Sequence, residues 1–121
     1  MRNVIGYWES TVDTTQYFVS PAEQAVFRDS KAAKIDLRRG GAMFLGLNCF
    51  EPGQSQPVHT HAGADKFYLV LSGMASISVA GETRSVGPGT LVWAPADVPH
   101  GVVRAHERTV LLVGISPPPT E

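Results

Sequence analysis

The sequence predicts an all-β domain, because short runs of strand-forming residues alternate with frequent turn signals along most of the chain. The 121 residues include 12 Gly and 9 Pro, and these mostly separate runs rich in Val, Ile, Leu, Thr and aromatic side chains. Such regular spacing indicates a sheet that closes into a barrel or folds into a sandwich. A chain of this length forms one domain around one core.

Eight strands are predicted after residue 40, and several of them are separated by turns that contain glycine. The strands span residues 43–50, 58–61, 66–71, 75–79, 83–86, 90–93, 101–104 and 109–115. In the first strand, the period of two places Phe44 and Phe50 on one face. The opposite face carries the remaining apolar side chains, which are Met43, Leu45, Leu47 and Cys49.

The first forty residues are predicted to form an N-terminal arm, because they lack a long apolar period. Residues 20–23, Ser-Pro-Ala-Glu, have the form of a short helix start in which Ser20 is the cap. We expect the arm to pack its aromatic side chains over a sheet or a neighbouring subunit, and these are Tyr7, Trp8, Tyr17 and Phe18. The predicted organisation is an arm at 1–40, a barrel at 41–116 and an unpaired Pro-rich tail at 117–121.

The charge balance makes nucleic acid and membranes poor partners. Ten basic and eleven acidic residues give a net charge of -1, and there is no basic cluster beyond two adjacent arginines. No apolar run approaches the roughly 20 residues of a spanning helix. The single cysteine, Cys49, cannot form an internal disulfide, and no charged-then-apolar leader opens the chain. A cytoplasmic location is therefore expected.

Three of the four histidines lie at positions that suit a metal site. His59 and His61 are two residues apart, so both rings can point from one face of an extended strand, about 6 to 7 Å apart along the chain. His100 supplies a third imidazole from a second segment. Neutral imidazoles suit Fe(II), Zn, Ni, Cu or Mn, and a three-ligand face leaves room for water, dioxygen or substrate.

These two segments resemble the paired motifs of the cupin superfamily, whose members are small β-barrels related to the jelly roll. The resemblance covers about residues 53–104. The first motif is matched by Gly53, His59, His61 and Gly73, and the second by Gly89, Pro95 and His100. The resemblance implies a cupin-like jelly-roll barrel with an N-terminal arm. It also implies a homodimer, since small cupins often pair through their N-terminal strands.

The chain departs from the cupin motifs at the position of the acidic ligand. Lys66 stands there, and Asp65 lies one residue earlier. In the usual register, Lys66 would place a cation beside a three-histidine centre. With a bulge before Phe67, Asp65 would instead complete a set of three histidines and one carboxylate. In the second motif, Asp97 and Arg104 replace the usual Gly and Asn.

The resemblance implies a metal-dependent enzyme that holds one divalent transition metal per chain, with Fe(II) ranked first. Dioxygenase-like oxidation of a small organic molecule is the first hypothesis, and isomerase, decarboxylase or lyase chemistry is the alternative. A non-catalytic barrel that binds a small molecule or a metal is a second alternative. A third is metal-free acid–base catalysis, with a histidine as the base and Tyr68 as the acid.

Several further side chains have two interpretations. Tyr68 either projects into the barrel as an acid or hydrogen-bond donor, or belongs to the core. An apolar pocket wall or simple core is expected from Met43, Leu45, Phe67, Leu69 and Trp93. Surface positions are expected for Arg104 and His106, and a buried position for Cys49.

Overall fold

The computed structural model describes residues 8–9 and 16–120, and these ranges form an almost entirely β structure. A 3-10 helix at Pro21–Gln24 precedes the strands. The nine strands of the described ranges are β1 (Ala33–Arg39), β2 (Phe44–Phe50), β3 (Gln56–His59), β4 (Asp65–Ser72), β5 (Ala75–Val79), β6 (Glu82–Val86), β7 (Leu91–Ala94), β8 (His100–Ala105) and β9 (Thr109–Ser116). Within the same ranges, no helix has the length and apolar character needed to cross a membrane.

The strands form two antiparallel sheets, as in a jelly roll. The five-stranded sheet has the order β1-β2-β9-β4-β7, and the four-stranded sheet has the order β3-β8-β5-β6. The last strand, β9, lies between β2 and β4, so the end of the chain is central to the larger sheet. This arrangement confirms the prediction of an all-β, jelly-roll fold.

All eight predicted strands are present, each within two residues of its expected ends, but β1 was not predicted. It lies inside the predicted arm and pairs along its length with β2, so the arm contributes a strand to the main sheet. Ala33, Ile35 and Leu37 are buried at alternate positions of β1. Charged side chains occupy the positions between them and obscure this period in the sequence.

Two apolar clusters lie on the two faces of the larger sheet. Phe44 and Phe50 belong to the inner cluster, between the sheets. Leu47 and Cys49 belong to the outer cluster, which the segment containing Val19, Ala25, Val26 and Phe27 partly covers. The face assignment predicted for these residues of β2 therefore agrees with the structure.

The described part of the arm packs only some of its aromatic side chains. Trp8 is buried and contacts Phe44, with ring centroids 4.7 Å apart. It approaches Gly46 so closely that a Cβ there would lie 2.6 Å from the indole, which explains the glycine. By contrast, Tyr17 and Phe18 are 95% and 89% exposed. The prediction for Tyr7 lies outside the described residues.

The short helix of the arm forms, but its predicted cap does not. Ser20 makes no side-chain hydrogen bond to the helix end. Instead, its backbone carbonyl accepts the N–H of Glu23 at 3.1 Å, as in a single turn of 3-10 helix. A helix of four residues is too short to require a side-chain cap, because backbone bonds of this kind already satisfy its first donors.

Candidate metal centre

The structure brings His59, His61 and His100 together between the two sheets. His59 is the last residue of β3 and pairs in register with His100, the first residue of β8. His61 follows two residues beyond β3. The ring centroids are 4.5 to 5.3 Å apart. One nitrogen from each ring lies within 4.8 Å of the other two, which is a spacing that can hold one metal ion.

Backbone carbonyls fix the orientation of two of the three imidazoles. Nδ1 of His59 lies 2.8 Å from the carbonyl of Pro57, and Nδ1 of His100 lies 2.9 Å from the carbonyl of Val98. Because a carbonyl only accepts, each Nδ1 carries the proton and each Nε2 presents a lone pair. This is the arrangement that metal-binding histidines commonly have in proteins.

The free nitrogen of His100 supports a metal in this position. His100 is 1% exposed, and its Nε2 has no hydrogen-bond partner. Nε2 of His59 lies 3.1 Å from Nε2 of His61. Three nitrogen donors therefore face one another, and at least one of them is buried without a partner. Buried polar atoms are rarely left in this state, so the three residues fit a metal ion.

Asp65 is not part of this cluster, which corrects the alternative with a carboxylate ligand. Its exposed side chain accepts the backbone N–H of Ala96 at 2.9 Å. The pairing of β4 is regular from Asp65 through Phe67, so there is no bulge to turn Asp65 inward. Lys66 consequently faces the interior and is 2% exposed. The geometry is that of three histidines near an inward-facing lysine.

Burial and the nearby lysine keep the imidazoles neutral. Desolvation, followed by the charge of Lys66, lowers the pKa of His61 to about 4. Desolvation is also the main cause that lowers the pKa of His100 to about 4 and the pKa of His59 below its usual value. Burial and the charge of Lys34 lower the pKa of Lys66 itself to about 7. Neutral imidazole is the form that binds metals.

Tyr68 projects into the interior from β4, where it is completely buried. Its hydroxyl donates to Oε1 of Gln56 at 2.6 Å, and its ring lies 6.2 Å from that of His100. Burial raises the pKa of the phenol well above its ordinary value. The side chain therefore stays protonated and can donate a hydrogen bond, but it is poorly suited to give up its proton as an acid.

An open cavity of about 440 Å³ lies beside His61. Its lining comes from four separated segments of the chain and consists of Trp8, Lys34, Thr60, His61, Ala62, Ala64, Pro117, Pro118, Pro119 and Thr120. The ammonium of Lys34 lies 4.8 Å from the centre of the Trp8 ring. Residues 117–120 of the tail form no strand but line one wall of the cavity. The guanidinium of Arg39 donates to the carbonyl of Pro119 at 2.8 Å.

The predicted apolar wall lies elsewhere, which is a further correction. The side chains at odd positions of β4 face away from the histidines, because Lys66 and Tyr68 face toward them. Phe67 packs over Gly114 on the outer side of the sheet, and Trp93 is 54% exposed beside it. The other proposed wall residues, Met43, Leu45 and Leu69, also lie outside the cavity lining. As predicted, Arg104 and His106 are exposed and Cys49 is buried.

Asp97 holds the loop that carries His61. Its backbone N–H donates to the carbonyl of His61 at 3.1 Å, and its carboxylate accepts the N–H of Gly63 at 3.1 Å. Asp97 has φ of 68°, in the left-handed region that aspartate tolerates better than most residues. The replacement of the family's glycine by Asp97 therefore keeps the backbone conformation and adds a hydrogen bond.

The comparison with known proteins gives the family. Residues 46–115, more than half of the chain, match the model of the cupin domain. The chain therefore belongs to the cupin family, and the resemblance inferred from the two histidine motifs is confirmed.

Three relatives show how far the similarity extends. An uncharacterized protein of Streptomyces coelicolor is 36% identical over 86 residues, which are 71% of this chain and 81% of that protein. The dimethylsulfoniopropionate lyase DddW of Ruegeria pomeroyi is 32% identical over 65 residues, which are 54% of this chain but only 42% of the lyase. The crystal structure of TT1209 from Thermus thermophilus is 35% identical with a TM-score of 0.81, and the match covers 86% of this chain and 100% of that one.

Proposed function

We propose that this protein is a metal-dependent cupin enzyme that acts on a small organic molecule. One divalent transition metal, with Fe(II) ranked first, would be held by His59, His61 and His100. The observation that carries the proposal is the buried Nε2 of His100, which has no partner although two further imidazole donors lie close by. Burying a polar atom without a partner costs free energy unless a ligand binds to it.

The chain's own residues orient the ligands and shield the site. When bound, a metal with three protein ligands supplies Lewis acidity and open coordination positions. The carbonyls of Pro57 and Val98 keep the lone pairs of two imidazoles directed to a common point. The phenol of Tyr68 stays protonated and buried, and it holds Gln56 through its hydrogen bond. The surrounding inner cluster excludes water from this side of the site.

Oxidation is ranked first because three neutral nitrogen donors can hold Fe(II), among other divalent metals, and would leave coordination positions for dioxygen and a substrate. The test is anaerobic reconstitution with Fe(II), followed by measurement of oxygen uptake against a panel of small organic acids. We expect uptake that matches substrate loss with the native chain and no uptake with His100→Ala. Absence of uptake with every acid, although Fe(II) is bound at one ion per chain, would reject the oxidative form of the proposal.

Lyase chemistry is the second candidate, and the similarity to the Ruegeria pomeroyi lyase DddW favours it. That similarity covers less than half of the lyase, so the activity is carried over here only as a proposal. The reconstituted protein should be incubated with dimethylsulfoniopropionate without oxygen, and the substrate followed by nuclear magnetic resonance. Loss of the substrate would favour lyase chemistry over oxidation. Metal binding with neither reaction would favour the non-catalytic barrel.

We also propose a homodimer, with a cytoplasmic location as a further prediction from the sequence. The single chain leaves Tyr17, Phe18, Leu91 and Trp93 exposed, at 95%, 89%, 61% and 54%. Several large apolar side chains in contact with water favour association. Sedimentation velocity at micromolar concentration should give the mass of two chains, and a single-chain mass would contradict the proposal.

A further inference from the structure

Hydrogen bonds hold the tail in place as one wall of the cavity beside His61. The hydroxyl of Ser116, at the end of β9, donates to the carbonyl of Ala42 at 2.7 Å. Three residues later, the carbonyl of Pro119 accepts the guanidinium of Arg39 at 2.8 Å. The proline run at 117–119, which lines the cavity, is therefore attached at both ends. Because proline also restricts its own φ angle, this wall is preformed.

Lys34 brings an amine to the lining of the same cavity. This amine lies 4.8 Å from the centre of the Trp8 ring, which is itself packed against Phe44. Burial, followed by the charge of Lys31, lowers the pKa of Lys34. An ammonium has three N–H donors and a neutral amine still has two, so Lys34 can donate to a ligand in either form.

We infer that this cavity binds a small, mainly apolar molecule that carries an oxygen acceptor, such as a carbonyl group. The oxygen accepts a hydrogen bond from Lys34, and the apolar part lies against the prolines of the tail. A volume of about 440 Å³ suits such a molecule. Most of the lining is apolar, and the lining residues within the described ranges include no carboxylate that would attract a cation.

The inference names the substrate class of the proposed enzyme, and it rests on the proposed function for its link to the metal. His61 provides that link, because it belongs both to the cavity lining and to the cluster of three histidines. A molecule in the cavity therefore lies beside one of the proposed metal ligands. The lining residues Trp8, Lys34 and 117–120 lie outside residues 46–115, which match the cupin domain. The choice of ligand is thus assigned to parts of the chain that the family match does not cover.

Nuclear magnetic resonance of the metal-free chain can test this inference. The probe is cyclohexanecarboxamide, which has a carbonyl acceptor, and the comparison is cyclohexylmethylamine, a cation of nearly the same shape without an acceptor. We expect the amide to shift the backbone N–H signals of Thr60, Ala62 and Ala64 and to bind at least about tenfold more tightly than the amine.

Two lysine variants test the role of the hydrogen bond. Lys34→Met keeps a side chain of similar length without the donor, so we expect it to weaken amide binding by about five- to tenfold. The matched control is Lys31→Met, which removes an exposed lysine outside the lining and should leave amide binding unchanged. A double variant, Pro118→Gly and Pro119→Gly, removes part of the apolar wall and should weaken amide binding severalfold.

The outcomes separate this inference from the proposed function. Equal binding of the amide and the amine would overturn the inference, and so would amide binding that Lys34→Met leaves unchanged. If Lys34→Met does not fold, Lys34→Leu supplies the same comparison, and the preference of the native chain for the amide still decides the first point. Amide binding by a chain that binds no metal would leave the cavity site standing and reject the metal-dependent function. Metal binding without amide binding would reject this inference alone.

Discussion

The two sheets direct different kinds of polar side chain into the interior between them. The four-stranded sheet supplies His59 and His100, whose lone pairs are directed inward because backbone carbonyls hold their protonated nitrogens. The five-stranded sheet supplies the lysines Lys34 and Lys66, and burial lowers the pKa of both. One side therefore presents nitrogen lone pairs that suit a metal cation, and the other presents amines that repel such a cation when they are protonated.

The smaller sheet carries histidines that match the cupin motifs, whereas the larger sheet carries a lysine that departs from them. The histidines belong to the two cupin motifs and are positioned by backbone hydrogen bonds near the strand ends. Lys66 replaces the expected acidic ligand and is positioned by burial in the regular register of β4. The proposed capacity to hold a metal thus lies mainly with the smaller sheet, and the larger sheet supplies the lysine that stands at the family's acidic position.

Removal of His100 should have the largest effect. We expect His100→Ala to lower the affinity for Zn²⁺ by more than about 100-fold, because even the loss of a group that only orients a metal ligand costs about 10- to 100-fold. Isothermal titration calorimetry would measure the change. His106→Ala is the matched control, since His106 is exposed and contacts Ser76 at 2.7 Å. Equal losses in the two variants would show that the cluster of His59, His61 and His100 is not the metal site.

Replacement of the inward-facing lysine should strengthen metal binding. Lys66→Glu removes a cation and adds a carboxylate at the family's acidic position, so we expect the Zn²⁺ affinity to rise by about tenfold or more. Lys66→Met should give an intermediate rise. Asp65→Asn should leave the affinity unchanged, because Asp65 faces outward. Weaker binding in Asp65→Asn with no gain in Lys66→Glu would reverse the assignment of these two residues.

Loosening the loop that carries His61 should have a smaller effect. Asp97→Ala removes the hydrogen bond to Gly63 and places a less tolerant residue at φ of 68°. We expect metal affinity to fall by about tenfold, as for other groups that position a ligand. Asp97→Asn keeps an acceptor oxygen and tolerates the left-handed conformation, so calorimetry should show nearly native binding. A loss in the Asn variant as large as in the Ala variant would contradict the positioning role.

Acid should destabilise the metal-free chain moderately. The pKa values of His61 and His100 are lowered to about 4 in the folded protein, whereas in the unfolded chain they are about 6.5. Between these values the unfolded state binds more protons, so the stability present above pH 6.5 is lost as the pH falls toward 4. We expect the unfolding temperature in chelator to drop by about 5 to 10 °C between pH 7 and pH 5.

The contribution of the imidazoles to that drop can be isolated. The His61→Gln, His100→Gln double variant cannot bind these protons, so its unfolding temperature should change less between pH 7 and pH 5 than that of the native chain. Calorimetric scans at both pH values would measure the difference. An equally large drop in the double variant would assign the acid sensitivity to other groups.

The sequence predicted most of the fold and the three histidines, because both depend on local spacing. The strands beyond residue 40 carry clear turn signals, and the paired motifs have fixed intervals. The sequence did not predict β1. There, the charged residues Lys34 and Asp36 alternate with apolar ones, and this pattern is typical of a segment exposed to solvent. Nor could it decide whether Asp65 or Lys66 faces inward, because that choice depends on how β4 pairs with β7 and β9.

The cavity was beyond sequence reasoning for a related reason. Trp8, Lys34 and the tail residues that line it are far apart in the chain and meet only through tertiary contacts. The prediction that Phe67 and Leu69 line the pocket was wrong for a similar reason. Both faces of β4 carry apolar side chains, so alternation alone cannot tell the inner face from the outer one.

The central claim is that three histidines hold one metal ion beside Lys66, and elemental analysis tests it most directly. Protein prepared without a histidine tag should be reconstituted with Fe(II) without oxygen, freed of excess metal and analysed for bound iron. We predict about one ion per chain for the native protein and for Lys66→Met, and almost none when His59, His61 and His100 are all replaced by alanine. Iron retained by the triple variant, or absent from the native chain after reconstitution with Fe(II), Zn, Mn, Ni and Cu in turn, would contradict the account.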